Sequence, residues 1–226
     1  RPFGGDRWQP QPKLTLFAGA MLNRAVDECI HDFCQSEGVE ITRVYNGCGI
    51  LVGQMNAGAT PDAYFSCDQS FLDQVADRFQ PGVIVTQNPI VLVTASGNPH
   101  QLQSLSDLTK AGLRIGLAHP EKSALGHLTR QLLREKDLEQ AILDSGNLKQ
   151  EAPQGDLLVA SMATGALDAI VVYKSNAIGQ EGRLQIHPID SPLALARQPY
   201  AIANSSPYPQ TMQRLLDAIS QAKSRQ

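Results

Sequence analysis

The feature that most constrains this sequence is a regular alternation of short apolar runs with stretches of helical period. Leu14 to Phe17 form an apolar run, and apolar side chains then recur from Leu22 to Phe33 every three or four residues, as on one face of a helix. Residues 39–45 alternate as a second strand, and a second helix is predicted from Ile50 to Ala57. This alternation predicts an α/β architecture with a parallel, doubly wound sheet.

Two extended segments interrupt the alternation and divide the chain. The first, residues 83–94, contains two apolar runs with no helix between them, and the second, residues 198–204, precedes an amphipathic C-terminal helix. We therefore predict two α/β lobes with doubly wound sheets, hinged by these two segments. The predicted boundaries are residues 13–90 plus 198–226 for lobe 1 and residues 91–197 for lobe 2. Residues 1–12, with three prolines and two glycines, are predicted to be an N-terminal arm or linker.

Composition and charge exclude several classes of protein. The 226 residues are 42% apolar, which is enough for a substantial core, and the net charge is -3. No run of lysine and arginine exceeds two residues, so the basic footprint of a nucleic-acid-binding protein is missing. None of the four cysteines forms a CxxC pair, and phosphate-loop, dinucleotide and HExxH motifs are absent from the sequence.

The turns between strands and helices are the candidate ligand site. Ligands of open α/β sheets bind beyond the carboxyl ends of the strands. Helix N-termini there present free backbone N–H groups and the positive end of the helix dipole. The turns selected by this rule lie at Met21, Gly47–Gly49 and Ser66–Asp68 in the first lobe, and near Leu125, Gly155 and Tyr173 in the second. We expect them to meet in a cleft between the lobes.

Five stretches carry a resemblance to a known family. In chain order they are LTLFAGAMLNRAVDE, ILVGQMNAGATPDAYFSCDQSFLDQV, NPIVLVTAS, HPEKSALGHLTRQLL and AIVVYKSNA. The sequence resembles the molybdate-binding periplasmic proteins of ABC transporters, which are two-lobed solute-binding proteins of type II. The resemblance implies a non-enzymatic, exported monomer that binds a small inorganic ion and delivers it to a membrane permease. The ion implied is an oxyanion such as molybdate or tungstate, held by helix N–H groups, serine hydroxyls and a tyrosine.

The resemblance also places the ligand contacts, and several of the matching residues differ in chemistry. The candidate ligand-binding residues are Met21, Cys48, Gly49, Cys67, Leu125, Gly155 and Tyr173. Serines of the family's first two turns fall on Met21 and Cys48, and only Tyr173 keeps its chemistry. A thiol is a weak hydrogen-bond donor and a thioether donates none, so each lost hydroxyl is expected to weaken oxyanion binding by about 1–3 kcal/mol.

These sulfur atoms leave other interpretations open. Thiolate and thioether groups favour soft ions, so Met21, Cys48 and Cys67, with His127 from the second lobe, could instead bind Cu(I) or zinc. In an oxidising compartment, Cys48 and Cys67 could also form a disulfide.

A cysteine-dependent hydrolase is a further alternative. The turn Asn-Gly-Cys-Gly around Cys48 has the outline of a nucleophile elbow. Such an enzyme would need a base and an orienting acid, for which His119 or His127 and Asp168 are the candidates. The pattern is shorter than GxSxG, so we assign no catalytic residue.

Overall fold

The computed structural model describes residues 11–180 and 182–223. Of the predicted arm, residues 1–10 lie outside this part. The strands are β1 (Lys13–Gly19), β2 (Glu40–Asn46), β3 (Ala63–Phe65), β4 (Val83–Ala95), β5 (Ile115–Ala118), β6 (Leu148–Ala152), β7 (Ala169–Tyr173), β8 (Leu184–Pro188) and β9 (Leu195–Ile202). The helices are α1 (Asn23–Glu37), α2 (Cys48–Asn56), α3 (Gln69–Asp73), α4 (Ala124–Glu135), α5 (Glu139–Asp144), α6 (Gly155–Ala163), α7 (Lys174–Ala177) and α8 (Pro209–Lys223). Among these helices, none is both long and apolar enough to span a bilayer.

The described strands form one mixed sheet in the order β2-β1-β3-β9-β4-β7-β5-β6, and β8 pairs with β4. Strand β1 is parallel to β2 and β3, and β5 is parallel to β6 and β7. Strands β4 and β9 run antiparallel to all of their partners. The sheet therefore contains two parallel groups, one on each side of an antiparallel pair, and the predicted α/β class is confirmed.

Strand β4 changes partners halfway along its length. Its residues 83–89 pair with β9, whereas residues 90–95 pair with β7 and β8. The two segments predicted to be extended thus lie side by side and join the two parallel groups. The exact division into two lobes, at residues 90 and 197, stays a prediction.

The C-terminal helix α8 packs on the first parallel group. Its apolar residues join the core cluster that β1 and α1 form, and Arg214 pairs with Glu37 of α1 at 2.7 Å.

Local signals set several helix ends. Gly38 ends α1 in the left-handed region with a φ of 64°, where glycine has no steric penalty. Asp68 caps α3, because its carboxylate accepts a hydrogen bond from the Ser70 N–H at 3.0 Å. Gln154 occupies the N-cap position of α6, and Asp156 lies in its first turn.

Candidate functional site

Turns from both parallel groups line one small cavity of about 20 Å³. Six of the seven predicted ligand-binding residues line it, namely Met21, Cys48, Cys67, Leu125, Gly155 and Tyr173. The other lining residues are Ala20, Asn46, Gly47, Ser123, Pro153, Gln154, Asp156 and Asn176. The turns that the sequence selected therefore meet in space, as the carboxyl ends of strands do in open α/β sheets.

Three helices begin at this cavity. The residues at the N-cap positions of α2, α4 and α6 are Gly47, Ser123 and Gln154, and all three line the cavity. Within the described residues, none of these three positions has a side-chain cap hydrogen bond. The first-turn N–H groups have no partner inside their own helices, and the positive ends of three helix dipoles meet here. This arrangement favours an anion.

Two glycines allow the turn before α2 to contact the opposite side of the cavity. The N–H of Gly49 donates a hydrogen bond to the carbonyl of Lys122 at 3.1 Å. A Cβ at Gly49 would overlap the carbonyl oxygen of Glu121, and a Cβ at Gly47 would lie 2.7 Å from that of Pro153. Gly49, the seventh predicted ligand residue, is thus placed at this contact and is not among the residues that line the cavity.

Two buried polar atoms at the cavity have no hydrogen-bond partner among the residues that the structure describes. They are the hydroxyl of Tyr173 and the side-chain oxygen of Asn176. Tyr173 is only 2% exposed, and burial raises the pKa of its hydroxyl well above the usual range, so the group keeps its proton and can donate. Buried polar groups almost always have partners, and an unpartnered pair at a cavity is a physical reason to expect a ligand there.

Cys48 and Cys67 lie next to each other, and both are free thiols in this structure, so no disulfide joins them. Both Sγ atoms are within 3.2 Å of the position that a Cβ on Gly19 would occupy. The N–H of Cys67 donates to the Sγ of Cys48 at 3.2 Å, and the hydroxyl of Ser66 donates to it at 3.8 Å. Burial disfavours the thiolate of Cys48, but hydrogen bonds from the thiol and N–H of Cys67 outweigh it and lower the pKa of Cys48. The same contact with Cys48 raises the pKa of Cys67.

His127 does not take part in this site. Its ring packs edge-on against Phe71, with the two centroids 5.9 Å apart, and its Nε2 is hydrogen-bonded to Gln131 at 3.1 Å. Across residues 11–180 and 182–223, no group of three or more His, Cys, Asp or Glu side chains is arranged to hold a metal ion. The soft-metal interpretation therefore receives no support from the structure.

The hydrolase interpretation lacks a histidine base among the described residues of this cavity. No histidine belongs to the set of described residues that line the cavity beside Cys48. Asp168, the candidate orienting acid, instead forms an ion pair with Arg114 at 2.6 Å.

Sequence reasoning missed several polar residues of the cavity. Ser123 and Gln154 immediately precede helices, and a serine just before an amphipathic stretch is a known start signal that could have identified the first of them. Asn176 lies in α7, a four-residue helix with no apolar period, and donates to the carboxylate of Asp156 at 3.1 Å. No sequence signal points to that contact.

Comparison with known proteins gives the context of this site. A family profile described as bacterial extracellular solute-binding protein matches residues 14–226. The molybdate-binding protein ModA of Mycobacterium tuberculosis is 30% identical over 172 residues, which are 73% of this chain and 62% of that protein. The chain thus spans less than two thirds of the length of this relative. The resemblance to molybdate-binding periplasmic proteins is confirmed.

Solved structures share the fold at lower identity. The periplasmic molybdate-binding protein of Azotobacter vinelandii superimposes with a TM-score of 0.75 at 16% identity, covering 92% of this chain and 96% of that chain. The sulfate-binding protein SubI of Mycobacterium tuberculosis has a TM-score of 0.76 at 18% identity, covering 94% and 83%. These structures confirm the predicted α/β fold of the type II periplasmic-binding-protein class.

Proposed function

The chain belongs to the bacterial extracellular solute-binding protein family, and from that membership we propose that it binds a small tetrahedral oxyanion as the solute-binding component of an ABC transporter. In this role it acts outside the cytoplasmic membrane and delivers the anion to a membrane permease. The names of its relatives supply two anion classes, molybdate and sulfate. Molybdate or tungstate is the proposed cargo, because the relative at 30% identity is a molybdate-binding protein.

The observation that carries the proposal is the meeting of three uncapped helix N-termini at one cavity. The N-termini of α2, α4 and α6 offer backbone N–H groups and positive dipole ends to the same small space. The hydroxyl of Tyr173 adds a donor that lacks a partner in the described chain. Helix N-termini of this kind can stabilise an anion without a lysine or arginine.

The size of the cavity supports a small inorganic cargo. Pockets for organic ligands of drug size usually have volumes of about 300–1,000 Å³. The cavity between these turns has about 20 Å³. This volume is compatible with an ion of a few atoms, and a neighbouring pocket of about 570 Å³ shares Met21, Gln154, Asp156 and Asn176 with it.

The sulfur residues predict a modest affinity. Met21 and Cys48 replace hydroxyl donors that the resemblance places at these turns, and the Sγ of Cys48 accepts hydrogen bonds in this structure. Backbone N–H groups do not depend on side chains, but those of Gly49 and Cys67 already donate, to the carbonyl of Lys122 and to the Sγ of Cys48. We expect binding that is weaker than a site with two serine hydroxyls would give.

Calorimetric titration of the reduced protein tests the proposal. Molybdate and tungstate are expected to bind with a stoichiometry of one, and sulfate and phosphate serve as competing anions. Saturation at micromolar concentration by molybdate or tungstate supports the proposal. Heat signals no larger than those of buffer for all four anions at millimolar concentration would overturn it.

A pair of tyrosine variants assigns the binding to this cavity. Tyr173→Phe removes a hydroxyl that no described protein group uses, so stability should not fall. A hydrogen bond to a charged group is worth about 1.5–3 kcal/mol, so anion affinity should fall about tenfold or more. Tyr200→Phe is the matched control, because its hydroxyl donates to the carbonyl of Met212 at 3.1 Å. That variant should lose about 1 kcal/mol of stability and keep its anion affinity. Equal affinities in the two variants would contradict the assignment to this cavity.

A further inference from the structure

The proposed oxyanion site makes little use of the two thiols buried at the cavity. Cys48 and Cys67 are 0% and 5% exposed, yet both line the cavity. They are free, and their sulfur atoms lie close enough to share one hydrogen bond. A hydroxyl at either place would serve an oxyanion better, since thiols are weak donors. Two adjacent thiols can form covalent bonds to one electrophile, and hydrogen bonding to an anion does not need this reactivity.

The arrangement of the pair favours one kind of electrophile. Cys48 begins α2, where the helix dipole stabilises a thiolate, and it accepts hydrogen bonds from Cys67 and Ser66. Cys67 acts as the neighbouring thiol that can supply a second sulfur and a proton. Two thiols alone fall short of the four ligands that zinc usually takes. Two thiols are, however, the number that a small trivalent oxo acid needs when it condenses with thiol groups.

We propose that Cys48 and Cys67 capture trivalent arsenic, supplied as arsenite, by forming two arsenic–sulfur bonds in the cavity. Arsenous acid is uncharged at neutral pH, so it enters a buried site without the cost of desolvating a charge. The inference rests on the proposed function only in that both place a small oxo acid in the same cavity. It concerns a second class of ligand, held by covalent bonds instead of N–H groups.

The step balances without an oxidant or reductant. The thiolate of Cys48 attacks arsenic and a hydroxide leaves, which takes up the proton released when Cys48 ionised. Cys67 then displaces a second hydroxide, which takes the proton of the Cys67 thiol. Overall, As(OH)₃ and two thiols give one As–OH group bound to two sulfurs and two molecules of water. Two As–O bonds break, two As–S bonds form, and arsenic stays trivalent.

Native mass spectrometry of the reduced protein after incubation with arsenite tests the proposal. One arsenic atom should be added per chain, and Cys48 and Cys67 should become protected from iodoacetamide. The variant with Cys29→Ala and Cys34→Ala, which removes the two partly exposed thiols of α1, should take up arsenic as the wild type does. Arsenic that is absent, or that requires Cys29 or Cys34, would overturn the proposal.

A single isosteric variant separates this inference from the proposed function. Cys48→Ser should weaken arsenite capture by roughly 100-fold or more, because one As–S bond would then hold the arsenic instead of two linked ones. The same variant should bind molybdate more tightly, since serine supplies a better donor, and this gain shows that it has folded. If wild-type protein binds molybdate but not arsenite, the dithiol inference fails alone. If it binds arsenite but no oxyanion, the proposed function fails and the dithiol site stands.

Discussion

Gly49 determines how closely the start of α2 approaches the opposite side of the cavity. Its N–H reaches the carbonyl of Lys122, and the carbonyl of Glu121 occupies the space that a side chain would need. A β-carbon must hold the two turns apart, because a backbone carbonyl cannot move as a flexible side chain does. The residue matters for the closed shape of the site although it does not line the cavity.

We predict that Gly49→Ala weakens anion binding. Overpacking of this kind costs about 1–3 kcal/mol, so calorimetry should show an affinity roughly 5- to 150-fold below that of the wild type. Gly53→Ala is the control on the same helix, because nothing lies within 4 Å of the Cβ it would add. That variant should bind normally and gain about 0.5–1 kcal/mol of stability from its better helix propensity. Unchanged affinity in Gly49→Ala would show that the two turns need not touch when the anion is bound.

At the residue scale, the sequence could indicate which turns meet but not how their atoms interact. The positions of Cys48 and Cys67 follow from the rule that ligands bind beyond strand ends, and both line the cavity. The acceptor role of the Cys48 Sγ depends on the N–H of Cys67, a contact over 19 positions that no local pattern encodes. The placement of His127 against Phe71 likewise depends on how α4 meets α3.

At the scale of single elements, a capping box illustrates how charge stabilises a short turn. The 3₁₀ helix Leu105–Thr109 begins after Ser104, and the carboxylate of Asp107 accepts hydrogen bonds from the N–H groups of Gln103 and Ser104. Lys110 pairs with the same carboxylate at 2.9 Å. The hydrogen bond from the Gln103 N–H has the largest effect, and together these contacts lower the pKa of Asp107 to about 2.

We predict a pH-dependent contribution of Asp107 to stability. Because its pKa is lower in the folded than in the unfolded state, the contribution is complete above the unfolded value near 4 and is lost as the pH falls towards 2. Asp107→Asn should therefore be less stable than the wild type at pH 6, and the difference should shrink at pH 2.5. Urea unfolding at both pH values measures it. Asp144→Asn, at an exposed helix end, is the control. A difference that is equal at both pH values would contradict the assigned role.

Elements with strong apolar patterns could be predicted from the sequence, and polar ones could not. Strand β4 and helix α1 lie close to their predicted positions. Strand β6 escaped prediction because its sequence LKQEA exposes alternate polar residues and contains no β-branched residue. Strand β8 has a similarly polar sequence, LQIHP, and is recognised only through its pairing with β4.

At the scale of the whole molecule, one apolar core connects both parallel groups. A single cluster of buried residues contains Phe17, Leu51 and Tyr64 from the first group, together with Leu125 and Val171 from the second. Because the two parallel groups share this core, unfolding of one group removes packing contacts of the other. The sheet is also continuous, because β4 pairs with strands of both groups.

We therefore predict one cooperative unfolding transition. Urea curves followed by far-ultraviolet circular dichroism and by tyrosine absorbance should coincide. A bound anion should shift the entire transition, by about 2.7 kcal/mol at a free concentration of 100 times Kd. Two separate transitions, of which the anion moves only one, would show that the two groups unfold independently.

The position of β9 has a consequence for the order in which the parts of the chain can fold. Strand β3, only three residues long, has β1 on one side and β9 on the other. Until residues 200–202 are in place, the far edge of β3 has no neighbour, although residues 13–65 come much earlier in the chain. The first half therefore cannot be finished before the second, because β9 completes the structure that β1 and β3 begin.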